Sequence, residues 1–223
     1  PYCRDIENVE VGILVKEKSS NEIKISLRSK NYVDVSHIAK VFNGPRFKRP
    51  YADIGVTSGK NIRRYFTGTA LTQLNSDNVK YLDSSKANAQ VKKHLEALTI
   101  HKGYILVSDS GTLGRVTYAL EQHDGHVATN NLIRIIVDDI PLRGYLYEFL
   151  QSELGQSLML KNAYGTNQEH LEPDIIADIP IPIPKDKTVI QKIGNAVTES
   201  IEQLEKSISA GNIAKTTLNE ILE

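Results

Sequence analysis

An α+β fold, with short strands, flanking helices and a long helix at the C-terminal end, is predicted by three features of this chain. Apolar runs bounded by Gly, Ser, Asp and Asn recur at 103–107, 115–119 and 127–137, the lengths expected of buried strands. Leu146, Phe149, Leu150, Leu154 and Leu158 form an apolar stripe at helical spacing. Ile190, Ile193, Val197, Ile201, Leu204 and Ile208 then step by three and four residues, a narrow seam of the coiled-coil kind that needs a partner surface.

Taken in order, residues 9–29 read as a β-hairpin. Val-Glu-Val-Gly-Ile-Leu-Val is followed by a polar turn and the alternating Glu-Ile-Lys-Ile-Ser-Leu-Arg. Val35, Ile38, Ala39 and Phe42 predict a helix over 32–42, with Asp34 or Ser36 as its cap. Residues 43–64, rich in Gly, Pro and basic side chains, predict an exposed loop around one short strand at 55–57. The polar stretch 75–101 predicts loop and a short helix. Residues 103–118 predict strand, turn and strand, with Gly111 and Gly114 allowing a tight turn or a close approach. Pro141 to Lys161 predicts a single helix. Pro180, Pro182 and Pro184 forbid a central strand and predict an extended edge over 176–184. The final helix carries the seam to Ile208, is interrupted at Gly211 and Asn212, and resumes weakly at Leu218, Ile221 and Leu222.

With 223 residues, 40% apolar and 24% charged, the chain predicts one sizeable soluble domain, or one domain with an appendage. Cys3 is its only cysteine, which excludes an intrachain disulfide and a cysteine-built zinc site and fits a cytoplasmic setting. No run approaches a membrane span and no signal-peptide pattern opens the chain, so no membrane partner is expected. Proline at position 1 predicts a fragment of a longer polypeptide. The formal net charge is zero, but it is segregated. Arg46, Lys48, Arg49, Lys60, Arg63 and Arg64 face one acid, Asp53, between positions 44 and 64, whereas 138–184 is dominated by acids.

Catalytic patterns are missing. The chain has no phosphate-loop, zinc-protease or nucleophile-elbow motif, and no Asn/Asp-Pro-Pro-aromatic signature of amino-group DNA methyltransferases. His123 and His126 are close in sequence but fall in a predicted surface turn, so no metal is expected there. No catalytic residue, metal or resident cofactor is assigned, and the chain is expected not to be an enzyme.

Seven landmarks in order carry a resemblance: Val35-Ser-His-Ile-Ala-Lys-Val-Phe-Asn-Gly-Pro-Arg-Phe-Lys-Arg-Pro-Tyr; Ser58-Gly-Lys-Asn-Ile; Gly103 to Arg115; Ala128-Thr-Asn-Asn-Leu-Ile-Arg-Ile; Tyr164-Gly-Thr-Asn-Gln-Glu-His-Leu; Ile179-Pro-Ile-Pro-Ile-Pro; and Ile190-Gln-Lys-Ile. Over roughly 33–195 the chain resembles a target-recognition domain from the specificity subunit of type I restriction-modification systems. The resemblance implies a mixed, strongly twisted β-sheet domain over 31–184, followed by a helical spacer or dimerisation arm over 185–223. Residues 1–30 form a hairpin or linker outside the match. It implies sequence-specific recognition of double-stranded DNA, and an adenine methyltransferase as a partner subunit or a fused domain, which would carry S-adenosylmethionine. A restriction subunit and self-association through the arm are further implied partners. A full specificity subunit holds two such units, so this chain corresponds to a half subunit, a fragment, or the recognition end of a methyltransferase-specificity fusion.

The residues agree with that role on chemical grounds. Arg46, Lys48, Arg49, Lys60, Arg63 and Arg64 can neutralise phosphates. Asn61, Asn167 and Gln168 offer the paired donors and acceptors that base reading requires. Ile190, Ile193, Val197, Ile201, Leu204 and Ile208 are the candidate helix interface. Gly111 and Gly114 are expected to hold the scaffold and not to touch a ligand. The competing reading is a protein–protein scaffold that acts through the C-terminal helix without contacting DNA.

Overall fold

The computed structural model describes residues 11–19, 22–29, 32–74, 79–161 and 170–222. Strands β1 (Val11–Ser19) and β2 (Glu22–Ser29) form the expected antiparallel hairpin, with an irregularity in register between Glu17 and Ser19. The helix predicted over 32–42 is instead β3 (Tyr32–Asp34), a 3-10 turn over Val35–His37, and β4 (Lys40–Asn43). Its apolar spacing has another cause. Val35 drops into the core from the turn, and Val41 and Phe42 pair with a neighbouring strand across an open sheet edge. Tertiary pairing overrides the local helical pattern.

No strand forms at 55–57. Val56 donates to the Asp53 carbonyl at 3.0 Å in a turn, and Ile54 is fully exposed. The strand of this region is β5 (Ile62–Phe66), followed by the short helix α1 (Gly68–Leu71). The stretch after it contains β6 (Lys80–Asp83), a strand hidden by its polar composition, and α2 (Ala89–Ala97), capped by Asn88. Strands β7 (Ile105–Ser108) and β8 (Val116–Tyr118) flank the Ser/Asp/Gly turn as expected. The strand predicted over 127–137 is two strands, β9 (Val127–Ala128) and β10 (Leu132–Ile136), separated by Thr129-Asn130-Asn131.

Beside β3 and its partner β11 (Pro180–Pro182), the strands after the hairpin form a four-stranded antiparallel sheet, β4-β10-β7-β8, and a three-stranded mixed sheet, β6-β5-β9, in which β5 and β9 are parallel. Both faces of β7 and β10 are buried, which explains why they read as continuous apolar runs instead of alternating. Ile105, Val107, Ile133 and Ile135 join the larger core cluster beneath the following helices, while Leu106 and Leu132 join the cluster on the other face with Phe66.

The helix predicted over 141–161 divides into α3 (Ile140–Gln151) and α4 (Glu153–Leu160). Ser152 adopts an extended conformation (φ −63°, ψ 156°) and accepts from the Gly155 N–H, ending one helix and capping the next. The first part of the predicted edge is helical, α5 (Pro173–Ala177). Beyond it, β11 (Pro180–Pro182) pairs with β3, and its alternate prolines suit a two-stranded edge. The Tyr145 hydroxyl donates to the Pro182 carbonyl at 2.7 Å and ties this edge to α3.

Helix α6 (Lys187–Leu222) has 36 residues and runs unbroken through Gly211 and Asn212, about 54 Å in length. Its first turns belong to the body. Ile190 and Ile193 pack against the main core, and α6 crosses α3 where Gly144 meets Gly194. A Cβ on Gly144 would lie 2.8 Å from the Gly194 Cα, and one on Gly194 would meet the Pro141 Cα at 2.5 Å, so only hydrogen fits at this crossing. Farther along, Lys102 Nζ meets Glu205 at 2.8 Å and Glu121 at 3.2 Å, and the Glu121 N–H donates to Glu205 at 2.7 Å.

His123 is fully buried. Its Nδ1 accepts the Leu120 N–H at 3.0 Å and its ring stands edge-on to Phe66 at 4.9 Å. Burial, reinforced by His126 and Arg64 nearby, lowers its pKa to about 4. The folded state therefore binds fewer protons than the unfolded one between that value and the ordinary histidine value near 6.5. This contribution to stability is complete above about pH 6.5 and is lost as pH falls toward 4, a change of about 3 kcal/mol. Denaturation midpoints measured across that window should fall more steeply in the natural protein than in His123→Gln, which keeps an acceptor but cannot titrate. Parallel curves would contradict the assignment.

Candidate nucleic-acid interface

Strand geometry divides the basic cluster seen in the sequence. Arg63 and Arg64 are adjacent on β5 and so point to opposite faces. Arg63 is committed within the fold, donating to Thr99 at 3.0 Å and pairing with Glu96 at 2.8 Å. Arg64 lies on the other face, close enough to His123 and His126 to disfavour their protonation. Arg46, Lys48, Lys60 and Asn61 are exposed. Asn167 and Gln168 lie outside the described residues. Along α6, Ile190 and Ile193 face the chain's own core, whereas Val197, Ile201, Leu204 and Ile208 are partly covered.

Arg49 is half-buried and organises a cation–aromatic ladder. Its Nε donates to the Tyr65 hydroxyl at 2.6 Å, and its guanidinium sits 5.3 Å from the Tyr65 ring centroid. Tyr51 stands edge-on to Tyr65 at 6.4 Å, and Lys80 Nζ lies 5.3 Å from the Tyr51 ring. From Arg49 the network continues to the turn between β9 and β10. Arg49 donates to Asn130 Oδ1 at 3.5 Å, and Asn130 Nδ2 donates to Asn131 Oδ1 at 2.7 Å.

Landmarks far apart in sequence meet here. The Asp109 N–H donates to the Asn131 carbonyl at 3.3 Å, and the Asp109 carbonyl accepts from Leu171 at 3.1 Å. Burial raises the Asp109 pKa, while Ser110, His170 and Arg46 oppose that shift. The basic loop, the turn after β7, the paired asparagines and the segment from His170 thus converge on one place. Gly111 (φ 74°) and Gly114 (φ 72°) take left-handed conformations that shape the turn, and Gln156 anchors the Gly114 carbonyl at 3.0 Å.

Beneath them, Arg134 on β10 is fully buried without a carboxylate partner among the described residues. Its guanidinium donates to the carbonyls of Leu132 (2.7 Å), Ala128 (3.2 Å), Thr129 (3.3 Å) and Leu98 (3.3 Å). Burial lowers its pKa to about 10, which leaves it charged at neutral pH. It braces the turn that displays Asn130 and Asn131. The sequence signal for these residues was the Thr-Asn-Asn-Leu-Ile-Arg string itself, which resembles a family landmark but by periodicity is simply strand.

No group of acidic, histidine or cysteine side chains capable of holding a metal is found among the described residues, and none of their helices is long and apolar enough to cross a membrane. A body of short sheets gathers basic and amide side chains onto its loops and continues into one long helix. The family model of the type I restriction modification DNA specificity domain matches residues 33–214, and the chain belongs to that family. Among solved structures it is similar to the S subunit of a type I restriction-modification system from M. genitalium, with a TM-score of 0.54 and 16% identity over 85% of this chain and 44% of that one. It is also similar to a chain from a type I R-M system solved to explain complex assembly and conformational transition, with a TM-score of 0.51 and 14% identity over 86% and 43%. At these identities the likeness is one of fold, and the chain spans less than half the length of either relative. No curated protein matches it.

Proposed function

We propose that this chain reads a specific sequence in double-stranded DNA and, through α6, joins that reading to an adenine methyltransferase and a restriction subunit, without a catalytic site of its own. S-adenosylmethionine would be held by the methyltransferase. The observation that carries the reading is the convergence of the Arg46–Arg49 loop, the Ser108–Arg115 turn, the asparagine turn and the segment from His170. Exposed Arg46 and Lys48 supply sequence-independent phosphate attraction. The exposed amide of Asn61 has the donor–acceptor chemistry that suits adenine edges, while Asn130 and Asn131 hold each other and Arg49 in place. Net neutrality elsewhere keeps the attraction local.

The arm supports partner assembly. Ile213, Leu218, Ile221 and Leu222 are 56–75% exposed on its distal turns. Between these turns and Leu120 and Glu121 lies a groove of about 770 Å³ that also takes in Ile208 and Ile213. A partner helix carrying an apolar stripe would fill it.

Charge reversal at the exposed Arg46 and Lys48 together is expected to weaken binding to every duplex about a hundredfold at 0.1 M salt, and to reduce the slope of log affinity against log salt by about two. Fluorescence anisotropy with two unrelated duplexes measures both quantities. Unchanged affinity in the folded double variant would contradict the reading.

A further inference from the structure

We infer that the cleft between the Ser108–Arg115 turn, the Thr129–Asn131 turn and the start of α1 seats one phosphodiester of the DNA backbone, with Arg115 as its cation. This rests on the DNA-binding reading above and names a contact point for it. The cleft measures about 400 Å³ and brings Thr67, Thr69, Thr112, Arg115 and Asn131 to one opening over Ser108 and Thr129, which form its floor. Among the described residues, no aromatic ring and no carboxylate lines it, so an anion meets hydroxyl and amide donors with little repulsion from them.

The donors are free to turn inward. Thr67 accepts the Ala70 N–H at 3.2 Å, which leaves its hydroxyl proton available. Asn131 accepts through Oδ1 from Asn130, which leaves its own Nδ2 to donate. The chain Arg49 to Asn130 to Asn131 holds the Asn131 amide by its oxygen at the edge of the cleft. Arg115 makes no ion pair among the described residues, unlike Arg63 with Glu96. Gly111 forms one lip, and a Cβ added there would meet nothing within 4 Å, so a strand backbone can approach closely. Asp109, between the lining residues Ser108 and Ser110, is itself absent from the lining, is engaged by Ser110 and is faced by Arg46 and His170. A phosphate offers several acceptor oxygens and one negative charge, which this set of neutral donors with a single cation complements.

The test uses the full chain with two unrelated 20-base-pair duplexes, comparing Arg115→Gln and Thr112→Val with Arg46→Glu. Arg115→Gln should lower affinity for both duplexes by the same factor, about tenfold, and reduce the salt slope by about one. Thr112→Val, at an exposed position, should weaken both duplexes by a smaller common factor with the slope unchanged. If both cleft variants bind like the natural protein while Arg46→Glu loses affinity, the cleft assignment is wrong and the DNA reading survives. A loss confined to one duplex would make Arg115 a base reader and would overturn the phosphate assignment. No binding of either duplex by the natural chain at 20 mM salt would sink both.

Discussion

Replacing Arg134 with methionine is expected to destabilise the domain by about 4 kcal/mol, more than any surface change in this chain. Methionine matches the volume of the side-chain stem, so the loss does not come from a cavity. It comes from the carbonyls of Leu98, Ala128, Thr129 and Leu132, which converge on one guanidinium in a region closed to water. A hydrophobic substitute for a buried ion pair can be neutral when both charges leave together. Here only the donor leaves, and backbone acceptors cannot be substituted away. The functional consequence follows from the same bonds. Three of the four carbonyls belong to the turn and strand ends that hold Asn130 and Asn131, so sequence discrimination should fall even where the variant is still folded. Urea denaturation with an unchanged slope would register the stability loss. A loss below about 1 kcal/mol would mean that these carbonyls find other donors and that Arg134 is no brace.

Gly194→Val is expected to cost about 3 kcal/mol and to free the first turns of α6 from α3. The crossing leaves no room for a side chain, because the Pro141 backbone stands where the new atoms would go. Backbone cannot rotate aside as a flexible side chain does, so the helices must separate. Separation uncovers Ile190 and Ile193, which pack on the main core. The Lys102–Glu205–Glu121 contacts cannot compensate, since exposed ion pairs contribute about 0–1 kcal/mol. Hydrogen exchange should show early loss of protection in α3 and in residues 187–200, ahead of β7 and β10. Equal protection in the two proteins would contradict the crossing as the anchor of the arm.

The elements that read well in the sequence were those whose burial pattern matches their own period. Strands β7 and β10 lie between two packed layers, and α6 shows one apolar seam on an exposed helix. Strands β3 and β4 misled because Val35, Ile38, Ala39 and Phe42 satisfy helical spacing while serving a turn and a sheet edge, a choice made by β11 and β10 from far along the chain. Strand β6 was invisible because Lys80-Tyr81-Leu82-Asp83 buries only Leu82 fully. The candidate interface was legible as a set of landmarks but not as a geometry. Counting charges grouped Arg63 and Arg64 with Arg46, yet the pleat of β5 sends them to opposite faces and Glu96 engages one. Arg134 and Arg115 were hidden for a related reason. Nothing local distinguishes a buried brace or an unpaired cation from an ordinary strand arginine.

The central claim is that the converging loops read sequence. Its most direct test is selection by the full chain from a pool of duplexes randomised over 20 base pairs, at a salt concentration where non-specific binding is suppressed. One short motif should be enriched, bound at least a hundredfold more tightly than the starting pool, with the preference weakened in Arg134→Met. A folded protein that binds the pool yet enriches no motif would contradict it.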